Sequence, residues 1–214
     1  MRLLLVTAVP AERDALLAGL TAGAPITVAA AGVGPAAAGA GTARLLALAE
    51  AAGAPYDAVL SAGIGGGFPG RAGPEATVLA TASIAADLGA DSPDGFLPLD
   101  TLGLGSTRLP ADLALLDRLR RVLPAATIGA VLTVATVTGT ADRAEELAKR
   151  YPDAVAEGME GFGVAQAATG TGAAFGELRT ICNPIGPRDR GGWRMEQARA
   201  ALTAAGRALA TVDW

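Results

Sequence analysis

The chain has no histidine at all. That absence removes Ser-His-Asp and Cys-His catalysis and the usual histidine-bearing zinc sites, so acid–base chemistry falls to carboxylates, lysine, tyrosine or a thiol. Cys182 is the only cysteine, which excludes an intrachain disulfide and makes the cytoplasm the expected location. Charged residues amount to 18% and aromatics to 4%, and Lys and Arg form no run within a formal net charge of −4. Nucleic acid is set aside as a partner, because its binding needs a clustered cationic footprint. A membrane is set aside too: the apolar start, Leu3 to Val9, is too short to span a bilayer. It runs into Pro10, Glu12 and Arg13 without the cleavage region of a signal peptide, and reads as a buried first strand. No metal and no cofactor are expected.

What the chain does have is apolar residues (51%) and 29 glycines in 214 residues, enough for one α/β domain spanning 1–214. Runs rich in Val, Ile and Leu predict strands at Leu3–Val9, Ile26–Ala30, Ala58–Ala62, Thr77–Ile84, Ile128–Thr136 and Glu177–Cys182. Ala-rich stretches predict helices at Ala11–Leu20, Pro35–Ala52, Ala111–Val122, Ala141–Arg150, Gly161–Thr169 and Met195–Ala210. The alternation predicts a largely parallel sheet covered by helices on both faces. Asp87 to Pro110, rich in Pro and Gly, reads as a long irregular excursion suited to a binding loop or a subunit contact.

Ligands of such sheets sit at the carboxyl ends of strands, so the residues just after each strand carry most information. Gly32-Val33-Gly34-Pro35-Ala36-Ala37 satisfies the loose dinucleotide fingerprint. However, no acid follows the next strand to hold a ribose, and Pro35 removes a donor, so a plain helix-opening turn is the better reading. Ser61 to Phe68, with Gly65-Gly66-Gly67, is either a tight turn or a bare backbone for a flat ring. In Glu157-Gly158-Met159-Glu160-Gly161, Glu160 is open to two roles: accepting from a ribose 2′,3′-diol with Met159 against the sugar, or stabilising a helix N-terminus. Arg179-Thr180-Ile181-Cys182-Asn183-Pro184 closes a strand with an Asn-Pro turn, and Glu12 sits just past the first strand.

In this order the five motifs resemble the nucleoside phosphorylase superfamily, in its methylthioadenosine/S-adenosylhomocysteine nucleosidase branch. The Met159-Glu160 pair and the strand-end Arg179-x-x-x-Asn183 are the most specific parts. Two departures stand out. The nucleosidases end the last motif in Asp, and they carry more strand structure where this chain has only Leu20 to Ile26. Asn183 matches the 6-oxopurine enzymes instead. The tail through Trp193 and the compact N-terminal half look most like the futalosine hydrolases, a family that releases hypoxanthine from futalosine on the alternative menaquinone pathway.

The resemblance implies a three-layer nucleoside-phosphorylase-like α/β fold, its twisted, largely parallel (mixed) central sheet carrying helices on both faces. It also implies an N-glycosyl hydrolase acting on a small purine nucleoside, as a homo-oligomer (dimer or tetramer). Glu12 would orient water, Glu160 would bind the ribose, and Asn183 would pair with both edges of hypoxanthine, donating to O6 and accepting from a protonated N7. Ile64, Gly65, Gly66, Gly158 and Met159 would line the sugar and base site. Thr136 and Val137 would border the base, Val137 through its backbone, and Phe162 would either stack on the base or fill the core. Arg188 and Arg190 would close over the ligand and pair with its benzoate, or stay solvated. A 6-oxopurine nucleoside phosphorylase and a methylthioadenosine-type nucleosidase remain alternatives. Arg13 and Arg71 keep phosphate open, while a Glu12 charge where phosphate would sit favours water. A non-catalytic nucleoside-binding module and a dinucleotide oxidoreductase are further alternatives.

Overall fold

The computed structural model describes residues 1–214. The strands are β1 (Leu3–Thr7), β2 (Ile26–Ala30), β3 (Ala58–Gly67), β4 (Thr77–Ala85), β5 (Gly89–Ser92), β6 (Gly95–Pro98), β7 (Arg108–Pro110), β8 (Thr127–Thr133), β9 (Ala154–Gly158) and β10 (Ala174–Pro184). The helices are α1 (Pro10–Leu17), α2 (Pro35–Ala51), α3 (Leu99–Leu102), α4 (Leu113–Val122), α5 (Ala141–Arg150), α6 (Gly161–Thr171) and α7 (Met195–Leu209).

The main sheet runs β10-β4-β8-β9-β3-β1-β2, with β7 on β4 and an additional β10–β3 pairing. That last pairing closes β3, β10, β4, β8 and β9 into a ring, from which β1 and β2 extend. The sheet is mixed: β1–β2, β1–β3, β3–β10, β4–β8 and β8–β9 are parallel, while β4–β10, β3–β9 and β4–β7 are antiparallel. The mixed α/β sheet that the resemblance implies is present, and closure is the added feature.

All five side chains of β1 are buried, as a strand covered on both faces requires. Leu3, Leu5, Leu60, Leu178 and Leu202 share one cluster under α1, α4 and α7, while Leu4, Val6, Val59 and Phe175 share another under α2 and α6. The scarcity of aromatics has a packing counterpart where α2 meets α6. A Cβ on Gly163 would lie 2.0 Å from the Pro35 carbonyl oxygen, so these helices approach closely only because that position is bare.

Three elements depart from the sequence expectation. The glycine run after Ala62 is not a turn, because β3 continues to Gly67. Ala154–Gly158 is a strand although Glu157 and Gly158 weaken its apolar signal. The excursion after Asp87 holds a β5–β6 hairpin, the short α3 and β7.

Candidate active site

A cavity of about 340 Å3 opens at the strand ends. Glu12, Ile64, Glu157, Glu160, Asn183, Arg188 and Trp193 are among the residues that line it.

Glu12 is the third residue of α1 and is 9% exposed. One carboxylate oxygen accepts from the Ile64 N–H of β3 at 2.8 Å, the other from the Ala8 N–H at 3.1 Å. Two backbone amides, one within β3 and one just past β1, thus hold the carboxylate at the cavity. Gly63 makes room for it, since a Cβ there would meet Arg179 Nη1 at 2.9 Å and Glu12 Oε1 at 3.0 Å.

Glu160 is the N-cap residue of α6, 6% exposed. Its Oε1 accepts from Gly34 N–H at 3.3 Å, and its Oε2 from Met159 N–H at 3.3 Å and Arg179 Nη1 at 3.0 Å. Gly34, at φ 86°, presents that N–H at the start of α2. The turn that resembled a dinucleotide fingerprint does hold an anion, and the anion is the chain's own Glu160.

Arg179 of β10 is 1% exposed and joins three segments: Nε donates to Glu177 at 2.9 Å, Nη1 to Glu160, and Nη2 to Ser61 Oγ at 3.0 Å. Burial disfavours its charge, but Glu177, Glu160 and Glu12 outweigh that and raise its pKa. Burial pushes the Glu177 carboxyl up, opposed by Arg179.

Asn183 follows an irregularity in the β10–β3 register between Ile181 and Asn183, which re-aims it into the cavity. Its Nδ2 donates to Pro184 O at 2.8 Å, and its Oδ1 accepts from the Cys182 thiol at 2.7 Å. The Pro184 carbonyl only accepts, so it must face the amide nitrogen, and that settles which way the amide points. Burial raises the Cys182 pKa and keeps the thiol a donor.

Ile64, Gly65, Gly66, Val137, Gly158, Met159 and Arg188 also line the cavity, as the sequence led us to expect. Three residues expected there do not line it. Thr136 is exposed in the loop after β8, which ends at Thr133 rather than Thr136. Phe162 is buried inside α6, its N–H donating to Thr133 Oγ1 at 2.9 Å, so the core reading holds for it. Arg190 begins an exposed 3-10 turn, although its guanidinium lies 5.9 Å from the Trp193 ring. Arg188 lies 5.5 Å from the same ring and does line the cavity.

Sequence reasoning missed Glu157, 4% exposed, whose carboxylate accepts from Thr138 N–H at 2.8 Å and from the Thr138 hydroxyl. Burial raises its pKa. It also missed Trp193 and Cys182 as lining residues, although both stand inside quoted motifs. Arg13 pairs with Asp14 outside the cavity, and Arg71 donates to the carbonyls of Tyr151, Ala154 and Ala148. Neither arginine lines the cavity.

Residues 6–213 match the family described as the phosphorylase superfamily. A futalosine hydrolase of Streptomyces coelicolor is 49% identical, covering 99% of this chain and 96% of that protein. One from Acidothermus cellulolyticus is 44% identical, covering 94% and 90%. The chain belongs to the phosphorylase superfamily and, within it, to the family of these futalosine hydrolases. Among solved structures, the native futalosine hydrolase of Helicobacter pylori superposes with a TM-score of 0.79 at 17% identity, covering 98% of this chain and 95% of that one. A methylthioadenosine/S-adenosylhomocysteine nucleosidase of Neisseria meningitidis, in complex with methylthio-immucillin-A, gives 0.79 at 19% identity over 98% and 96%. These two likenesses concern the fold.

Proposed function

We propose that the chain is an N-glycosyl hydrolase that cleaves futalosine, releasing hypoxanthine and leaving the dehypoxanthinyl sugar product for menaquinone biosynthesis. The observation that carries this reading is the set of side chains one cavity brings together: two buried carboxylates, Glu12 and Glu160, and an orientation-locked amide, Asn183. Breaking the C1′–N9 bond places positive charge on the sugar and negative charge on the purine, and this arrangement stabilises both.

In this reading Glu160 accepts from the ribose hydroxyls, with Met159 against the apolar face of the sugar. Glu12, held by Ile64 and Ala8, orients a water beneath C1′ and takes its proton, a contribution of roughly 10²–10⁴ in rate. The second amide hydrogen of Asn183 donates to O6, and Oδ1 accepts from N7 as it becomes protonated. Val137 contributes backbone groups to the base. Arg188, stacked on Trp193, pairs with the substrate carboxylate at the far end of the 5′ substituent. Water is favoured over phosphate because Glu12 lines the cavity while Arg13 and Arg71 are engaged elsewhere. The 214 residues act as one domain in a cytoplasmic homo-oligomer, dimer or tetramer, and no helix is long and apolar enough to cross a membrane.

The test incubates the protein with futalosine, inosine and methylthioadenosine, with and without phosphate. Hypoxanthine should appear from futalosine in phosphate-free buffer. Release that strictly requires phosphate, or that occurs only from another nucleoside, overturns the reading.

A further inference from the structure

Glu177 takes no part in the steps above, yet it is the most enclosed carboxylate of the site. Its side chain is 0% exposed, and its Oε1 accepts from Arg179 Nε at 2.9 Å while Oε2 has no hydrogen-bond partner. The carboxylate lies against the first residue of α6: a Cβ on Gly161 would fall 2.3 Å from both its oxygens. Nearby, Thr133 Oγ1 accepts from Phe162 N–H and pairs with Ser83 Oγ at 3.1 Å. Either hydroxyl can donate in that pair, and with Thr133 as donor the Ser83 hydrogen is free to turn toward Glu177.

Consider the charges. Arg179 is the one cation among Glu12, Glu160 and Glu177. Without Glu177, the guanidinium 3.0 Å from Glu160 would cancel much of the negative charge that the ribose site presents. With Glu177 bound on its Nε edge, that positive charge is answered from behind, on the side away from the cavity, which Glu177 does not line.

Resting on the hydrolase reading, we propose that Glu177 is a positioning residue for the reaction. It holds Arg179 by the Nε edge and offsets its charge, so that Glu160 and Glu12 face the sugar as a net anion when the ring turns cationic. Burial raises the Glu177 pKa, and the guanidinium on its Oε1 opposes that shift. The arrangement concerns the developing charge alone, so substrate binding depends on it far less than turnover does.

The experiment compares two competitive inhibitors of one shape, an iminoribitol whose ring nitrogen is protonated and the neutral 1,4-anhydroribitol, each with hypoxanthine present. Wild type should prefer the cation. In Glu177→Gln, which keeps an acceptor for Arg179 Nε, that preference should fall at least tenfold, and kcat should fall by a similar factor with KM changed less than threefold. If Glu177→Gln fails to fold, Gly161→Ala displaces the same carboxylate and should give the same loss of preference. A merely structural role would weaken both inhibitors equally, and an unchanged ratio in either folded variant overturns the proposal. Wild type that releases no hypoxanthine from futalosine fails the hydrolase reading instead, so the two failures are separable.

Discussion

Asn183 and Glu157 are both register partners of Gly66, one on each side of β3. Two polar side chains thus stand two strands apart, about 10 Å, with a bare residue between them. A Cβ at Gly66 would lie 2.6 Å from Ile185 Cγ2, so the strand stays bare there to let Ile185 pack beside Asn183. The relationship makes the amide at position 183 the natural point at which to test base identity.

Asn183→Asp should lower kcat/KM for a hypoxanthine nucleoside and raise it for the adenine counterpart. An ionised Asp has only acceptors, so it would face both O6 and the Pro184 carbonyl without a proton to share. Leaving such an edge unpaired costs about 1–3 kcal/mol, so the ratio should move roughly ten- to a hundredfold. A ratio that stays where it was would mean the base is read elsewhere.

Glu12→Gln should reduce kcat by at least roughly a hundredfold with a much smaller change in KM, because the carboxylate acts on water rather than on the nucleoside. Gln still accepts from Ile64 N–H, so the fold should hold. Steady-state kinetics beside a thermal melt check both halves, and an unchanged kcat sinks the assignment.

Glu160→Ala should cost binding and rate together, since the ribose contact strengthens as the sugar gains charge. It also strips Gly34 N–H and one arm of Arg179 of their partner. Equal cleavage of a 2′,3′-dideoxy substrate by wild type and mutant would dismiss the ribose role.

Glu157→Gln should change the pH dependence of stability. Burial raises the folded pKa of Glu157 above its ordinary value of 4.5. Above that value the folded state binds the proton more tightly than the unfolded chain, so stability falls as pH rises through the window up to the folded pKa. Removing the titration should improve Tm relative to wild type more at about pH 7.5 than at about pH 4.5. Equal Tm differences at the two pH values would remove Glu157 as the cause.

Glu12, Glu160 and Asn183 were singled out by the resemblance of the motifs around them, since each taken alone also reads as an ordinary helix or turn residue. Glu157 and Glu177 were not, because a charged residue inside a strand looks the same whether it faces solvent or a buried arginine. Only the β10–β3 and β3–β9 pairings, which join residues far apart in sequence, reveal the difference. Likewise, Gly65-Gly66-Gly67 reads locally as a turn, and the ladder with β10 keeps it extended.

Closure of β3, β10, β4, β8 and β9 leaves β2 as the longest unpaired border of the main sheet. Its sequence, ITVAA, has neither charge nor proline, the usual guards against intermolecular strand addition. Self-association on heating therefore has a defined place to begin. Lys in place of the exposed Thr27 should slow light scattering during a thermal ramp while leaving hypoxanthine release unaltered. The strand left outside the ring is the one through which the chain would be lost to aggregate.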